Sequence, residues 1–379
     1  MKIIILSMIP VGIFTGAYLY LMLRRAFTAF GIDVSKTPVK AGLLSVSALL
    51  AVAACFFRKV WALAMYYVVA ADLILRLGDL IARKVLKGEK KEAYEKSGAR
   101  KWLYLSGIVP LIVSASLMIT GWMNMRNIVP TEYAVETEKE VRTDGYRVVL
   151  IADSHYGTSA NYEEVLIKCA EIEDTHPDLV ILAGDIVDES TKPEEVAEIF
   201  DAFGGIQSTY GTFFVWGNHD RSSSALKTEF GEDYLRDVIK ENGIRILEED
   251  TFEIGDDLLL VGREDYYEYK KGKPRKPMAE LMQGADLSRF VICIDHQPCA
   301  FTEEAEAGAD LILCGHTHGG QIWPAGEVEE IMKLNDGVYG RYEAGRTTAI
   351  VTSGFGGWAW PVRNETPSEY VIVKISGQR

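Results

Sequence analysis

Five of the six histidines in this 379-residue chain stand in short runs with carboxylate, asparagine and glycine neighbours. The runs are Asp153-Ser154-His155, Gly217-Asn218-His219-Asp220, Asp295-His296 and Gly315-His316-Thr317-His318, and a further run, Gly184-Asp185-Ile186-Val187-Asp188, lies between the first two. Neutral imidazole is the commonest side-chain ligand for a metal near neutral pH, and carboxylates add hard oxygen donors beside it. Together the runs carry enough nitrogen and oxygen for two divalent ions. The first expectation is a metalloenzyme. The sixth histidine, His176, precedes Pro177 outside every run and reads as a surface residue.

The residue types suggest separate roles. Asp153 and His155, two apart on a loop leaving a strand, can turn toward one ion. Asp185 has two carboxylate oxygens, one for each of two ions, which makes it the best bridge, while Asp188 reads as outer hydrogen-bonding support. Asn218 offers a neutral carbonyl oxygen. His219 beside it can reach a substrate oxygen without binding metal. The glycines around His316 and His318 allow an irregular loop that sends the two imidazoles to different ions, and His296 completes the ligand set of the second.

These runs need a scaffold that brings them together. From Tyr146 onward, apolar runs alternate with helical patterns, as in a layered α/β domain. The expected strands are Val148 to Ala152, Leu179 to Ala183, Thr212 to Trp216, Leu258 to Val261, Phe290 to Ile294, Leu311 to Cys314 and Thr348 to Thr352. Helices are expected over Tyr162 to Glu173, Pro193 to Phe203, Tyr234 to Glu241 and Phe301 to Ala307, and Tyr266 to Pro277 reads as a surface loop. Each polar run follows the carboxyl end of an apolar run within a few residues, where ligands collect in α/β sheets. Five cysteines, Cys55, Cys169, Cys293, Cys299 and Cys314, show no metal spacing and are assigned no chemistry.

In this order the runs resemble the motifs of the calcineurin-like metallophosphoesterase superfamily, D-x-H, G-D-x-x-D, G-N-H-[DE], H and G-H-x-H. Gly315 to Ile322 and Gly354 to Arg363 look like its membrane-associated bacterial YaeI/YkuE-like phosphodiesterase branch. The resemblance implies a layered β-sandwich flanked by helices, with two metals at its rim. It implies Asp153, His155, Asp185 and His318 on one ion, and Asp185, Asn218, His296 and His316 on the other. Two such ions clamp phosphate oxygens and make hydroxide from water at neutral pH. His219, oriented by Asp220, would then stabilise the transition state or protonate the leaving group. Arg363 matches an arginine of this branch and has two readings, substrate-phosphate contact or surface salt bridge. Trp323, Trp358 and Trp360 lie near the motif loops and also have two readings, core packing or contact with an apolar substrate or bilayer. Mixed N/O ligation suits Mn, Fe or Zn.

The chain ahead of these motifs differs in kind. Residues 1–126 carry 17 Lys+Arg against 6 Asp+Glu, net +11, and the remainder nets −25. Apolar stretches run over Ile3 to Leu23, Ala41 to Phe57, Val60 to Leu75 and Trp102 to Met123. Lengths near 20 residues suit a bilayer. The expected architecture is an all-α membrane region of about four spans over 1–126, with a tight turn at Arg58-Lys59, followed by a catalytic domain over 127–379. Asp72 and Arg76, four apart, are expected to pair on one helix face. The connection from Arg24 to Lys40 holds four basic residues and that from Ala82 to Lys101 eight. The positive-inside rule then puts both loops in the cytoplasm and the acidic domain outside it. Membrane lipids and a phosphoester substrate, lipid-linked or from the envelope, are the expected partners. A net of −25 disfavours nucleic acid.

Overall fold

The computed structural model of the chain describes residues 2–56, 60–221 and 230–377, with side chains from residue 12 and none over 54–56. The expected Arg58-Lys59 turn and the Cys55 side chain lie outside the described residues. The chain divides into two compact units, Met1–Thr120 and Gly121–Arg379.

The first unit is helical. Among the described residues, Val60–Val85 and Ile108–Arg126 form helices long and apolar enough to cross a membrane, and Thr37–Ala53 is a shorter apolar helix. Leu73, Ile74, Leu77, Leu80 and Ile81 on the first of these, and Leu111, Ile112 and Ile119 on the second, are exposed. An apolar surface of that extent suits lipid better than water. Its charges turn the other way. Asp72 and Asp79 are 1% exposed, and charges buried to that degree need partners. Asp72 does not pair with Arg76 as the spacing suggested. It accepts from Arg25 on the helix Lys2–Ala29 and from Tyr18 Oη at 2.9 Å. Asp79 accepts from Arg100 Nε at 2.6 Å and Tyr94 Oη at 2.9 Å. A charge buried between helices finds its partner on a neighbouring helix, where an i+4 residue cannot reach.

The second unit is α/β. Its described strands are β1 (Val129–Thr137), β2 (Tyr146–Ile151), β3 (Leu179–Ala183), β4 (Thr212–Val215), β5 (Arg245–Ile246), β6 (Asp250–Ile254), β7 (Leu258–Gly262), β8 (Phe290–Ile294), β9 (Leu311–Cys314), β10 (Gly340–Ala344), β11 (Thr347–Val351) and β12 (Glu369–Gly377). They form two six-stranded sheets, ordered β1-β12-β2-β3-β4-β5 and β10-β11-β9-β8-β7-β6. The centres are parallel, with β2, β3 and β4 neighbours in one sheet and β7, β8, β9 and β11 in the other. Parallel strands covered on both faces read as continuous apolar runs. This is why the seven expected strands were legible.

Alternation within those runs builds the layers. Val148 and Leu150 point between the sheets, where they meet Ile181, Leu260, Ile292, Leu313 and Val371. Val149 and Ile151 point the other way, onto the helices Tyr162–Glu173 and Pro193–Gly204 through Val165, Ile172, Ile199 and Phe203. The first of these helices starts in a capping box, with Asn161 Oδ1 accepting from Glu164 N and Glu164 returning to Asn161 N, which satisfies two of the free donors of the first turn. The second carries Pro193 in its first turn, where a missing N–H costs nothing.

β1 and β12, on one edge of the first sheet, were not anticipated. β12 runs antiparallel to β2 and parallel to β1. Its pattern is broken by Lys374 and its pairing partner is more than 200 residues away, so local periodicity does not announce it.

Leu150, fully buried between the sheets, tests this layering. Leu150→Ala is expected to cost about 2–5 kcal/mol, measured as a lowered denaturation midpoint of the full chain, whereas Ile167→Ala, 59% exposed, should change it by less than about 0.5 kcal/mol.

Candidate metal centre

The loops that leave β2, β3, β4, β8 and β9 at their carboxyl ends meet at one rim of the two sheets. Two groups of side chains come together there, Asp153, His155 and His318 in one and Asp185, His296 and His316 in the other, with ligand atoms in each group within 4.8 Å of one another. Asp185 lies at the centre. Its Oδ2 is 3.2 Å from His296 Nε2 and 3.8 Å from His155 Nε2, so a single oxygen faces histidines of both groups. The other oxygen, Oδ1, accepts from His219 N at 2.7 Å.

The backbone is bent to make these approaches. Asp153, His155, Asp185, His316 and His318 have φ values of 54°, 39°, 52°, 75° and 53°, in the left-handed region that side-chain-bearing residues rarely adopt. Surrounding bonds hold them there. Asp153 N donates to Gly184 O at 3.0 Å, His155 N to Asp185 O at 3.2 Å, and His316 N to the Asp153 carboxylate at 2.9 Å. Two glycines allow close contact. A Cβ on Gly217 would overlap the Asp185 carboxylate, and one on Gly315 would overlap that of Asp153.

The donor set fits divalent metal. His296 Nδ1 lies 2.8 Å from Ala183 O and donates to that carbonyl, which aims Nε2 at Asp185. His155 Nδ1 lies 3.3 Å from the Asp188 carboxylate, the carboxylate–imidazole pairing that supports a ligating histidine. Its Nε2 faces His318 Nε2 at 3.2 Å. Which of the two rings donates in that contact depends on its tautomer.

Electrostatics point the same way. Burial and the positive potential of His296 push His316 down to about 3. Burial and His155 likewise depress His318, so both rings are neutral and able to donate a lone pair. Burial alone would raise the Asp185 carboxyl, yet His296 and His219 hold it well below the usual carboxylate range. A buried carboxylate of this kind draws positive charge to the spot.

The site also departs from the expected roles. Asp220 does not orient His219. Its carboxylate accepts from the backbone N–H of Asp185, Ile186 and Gly217 at 2.7, 2.9 and 2.8 Å, tying the β3 and β4 loops together. Glu189 takes the orienting role, with Oε1 at 2.8 Å from His219 Nδ1. Burial would lower His219, but Asp185 and then Glu189 raise it to about 9. Glu189 directly follows the G-D-x-x-D run, and that adjacency was the one available signal. Asn218 is buried in the same turn.

Arg363 is no surface residue. It is fully buried, and its terminal nitrogens donate to the carbonyls of Gly354, Gly356, Ser353 and His318, the last at 2.7 Å. A guanidinium whose terminal nitrogens are engaged by four carbonyls is tied to the backbone around the His318 loop and holds that loop in place. Trp323 and Trp358 are 40% and 43% exposed. They stand at the rim and not in the core. The Tyr266 to Pro277 segment is mostly exposed as expected, but it begins with a short helix, Tyr266–Lys270, and sends Arg275 inward to Asp295 beside His296.

Residues 146–320 match the family model described as calcineurin-like phosphoesterase. An uncharacterized metallophosphoesterase of Campylobacter jejuni is 29% identical over 273 residues, 71% of this chain and 69% of the relative. A Danio rerio transmembrane protein with metallophosphoesterase domain is 24% identical over 330 residues, 83% of this chain and 71% of that one. Phosphodiesterase YaeI of Escherichia coli is 30% identical over 184 residues, 47% of this chain and 62% of that protein.

The close approach at Gly315 can be tested directly. Gly315→Ala is expected to weaken divalent-metal affinity about 10- to 100-fold, the size of effect seen when outer support of metal ligands is lost. An unchanged manganese titration would show that the Asp153 carboxylate has room to move.

Proposed function

We propose, from the match of residues 146–320 to the calcineurin-like phosphoesterase family model, that this chain is a membrane-anchored phosphoesterase that holds two divalent ions and cleaves a phosphodiester or pyrophosphate bond. The observation that carries the reading is the pair of ligand groups facing one oxygen of Asp185. Asp153, His155 and His318 would hold one ion, His296, His316 and Asn218 the other, and Asp185 both. The mixed N/O donors suit Mn, Fe or Zn. When bound, the ions supply a clamp on phosphate oxygens and a water nucleophile of lowered pKa.

The chain's own groups complete the reaction. Attack forms one P–O bond to the water oxygen and breaks the P–O bond to the leaving alkoxide, which must gain a proton. His219, charged and held by Glu189, is the donor for that proton. Asp220 keeps Asp185 and the His219 turn in register through backbone bonds. Asp188 and Ala183 O keep His155 and His296 in the tautomers that ligate.

Diester cleavage is preferred over monoester cleavage because one relative is named a phosphodiesterase. The basic loops of the first unit favour several membrane spans with the catalytic domain outside the cytoplasm. The apolar helices of that unit and the relatives named as transmembrane proteins support the anchor. An anchored, acidic catalytic domain favours a lipid-linked or envelope substrate over nucleic acid.

Full-length protein supplied with manganese should hydrolyse bis(p-nitrophenyl) phosphate, lose that activity to a chelator and recover it with metal. Asp185→Asn should abolish turnover, and full activity in that variant would sink the two-metal reading. His219→Ala should lower kcat by about 10²- to 10⁴-fold with metal content unchanged. Glu189→Gln should produce a smaller fall in the same parameter, whereas an unaffected kcat would remove Glu189 from the orienting role.

A further inference from the structure

A cavity of about 460 Å³ opens over the ligand cluster, and its lining is of two kinds. Asp185, His219, His316 and His318 form its polar floor, and Ile322, Ala325, Leu334, Trp358 and Trp360 contribute apolar surface, with Glu329 and Asn335 beside Leu334. This apolar wall begins at the reacting end, since the Trp358 ring lies 5.0 Å from the His219 ring. It is built and not a loose flap. Gln321 Nε2 donates to the carbonyls of Trp358, Trp360 and Val362 at 3.1, 3.0 and 3.2 Å, and Trp358 N donates back to Gln321 Oε1 at 3.0 Å. Leu334 and Trp358 are 58% and 43% exposed, so their apolar faces remain open to a ligand.

Charge narrows what that ligand is. Among the described residues, the lining contains no Lys or Arg, and Glu329 adds a carboxylate. A nucleotide or polyphosphate would bring extra negative charge beside the Glu329 carboxylate, with only the histidines of the ligand cluster, and no Lys or Arg of the described lining, to receive it. A group with one phosphate at the ligand cluster and an uncharged apolar remainder meets no such penalty. Cavities of this size hold drug-sized molecules, mostly through apolar walls and a few polar groups.

We propose that the Trp358–Leu334 wall binds the apolar organic group of the substrate, which makes the preferred substrate an amphiphilic phosphodiester with a single negative charge and an alkyl tail. The inference rests on the phosphoesterase reading above. It adds a specificity-determining surface to that reading.

The test uses the full-length chain in lipid nanodiscs with manganese, comparing kcat/KM for methyl, butyl and hexyl p-nitrophenyl phosphate and for thymidine p-nitrophenyl phosphate. The expected result is a rise of about twofold per added methylene, below the roughly fourfold of complete burial because the wall is partly open. The thymidine ester should fall below the hexyl ester. Leu334→Ser and Trp358→Ala, both at exposed positions, should each lower the hexyl-to-methyl ratio about fivefold or more. Equal kcat/KM along the alkyl series, preference for the thymidine ester, or ratios unchanged in both variants would overturn the tail site while leaving the phosphoesterase intact. No turnover of any ester would remove both.

Discussion

A carboxylate buried among apolar sheets must have positive charge beside it, and the rest of this site is arranged around that demand at Asp185. The side chain is nearly inaccessible, with one oxygen committed to the His219 backbone and the other facing His296 and His155. Desolvating such a group without a partner is costly. The partners arrive from separate strands, so the packing of two sheets determines whether the charge is compensated. The absence of side chains at Gly217 and Gly315 is part of the same constraint, because bulk there would push the carboxylates out of range.

Around the ligands lies a second set of contacts that makes their geometry definite. Asp188 holds His155, Ala183 O holds His296, Arg363 holds the carbonyl of His318, and Glu189 holds His219. Behind His296 the pattern continues through Asp295, Arg275, Arg263 and Glu304, all with side chains almost entirely buried. Buried ion pairs are weak sources of net stability. Breaking one leaves an uncompensated charge, so such a network resists local rearrangement next to a ligand. Arg363 belongs to the same class of device, with carbonyl dipoles replacing carboxylates.

The two units solve opposite problems of solvation. In Met1–Thr120 many apolar side chains face outward, and two acidic groups, Asp72 and Asp79, are paired inside. In Gly121–Arg379 the apolar side chains form the layers and polar groups collect at one rim. A phosphoester with an alkyl tail combines both requirements in one molecule, a charged group for the metal ligands and an apolar group for the Trp358 wall.

Much of this was legible in the sequence, for identifiable reasons. The parallel strands are buried on both faces, so they appear as unbroken apolar runs, and the polar runs that follow them mark the loops that carry the chemistry. The identities of Asp153, His155, Asp185, Asn218, His219, His296, His316 and His318 were therefore readable before any fold was known. The strands β1 and β12 were not readable, because their pairing is long-range and their pattern mixed. Side-chain direction was equally hidden. Spacing allowed Asp72 to pair with Arg76, and the resemblance implied Asp220 behind His219 and left Arg363 two readings, phosphate contact or surface salt bridge, whereas the structure gives Asp72 to Arg25, Asp220 to backbone N–H groups, and Arg363 to buried carbonyls. Local sequence determines which groups are present and which kind of element carries them. Only tertiary packing decides which neighbour a buried charge meets, since that neighbour is set by the approach of distant segments and not by position along the chain.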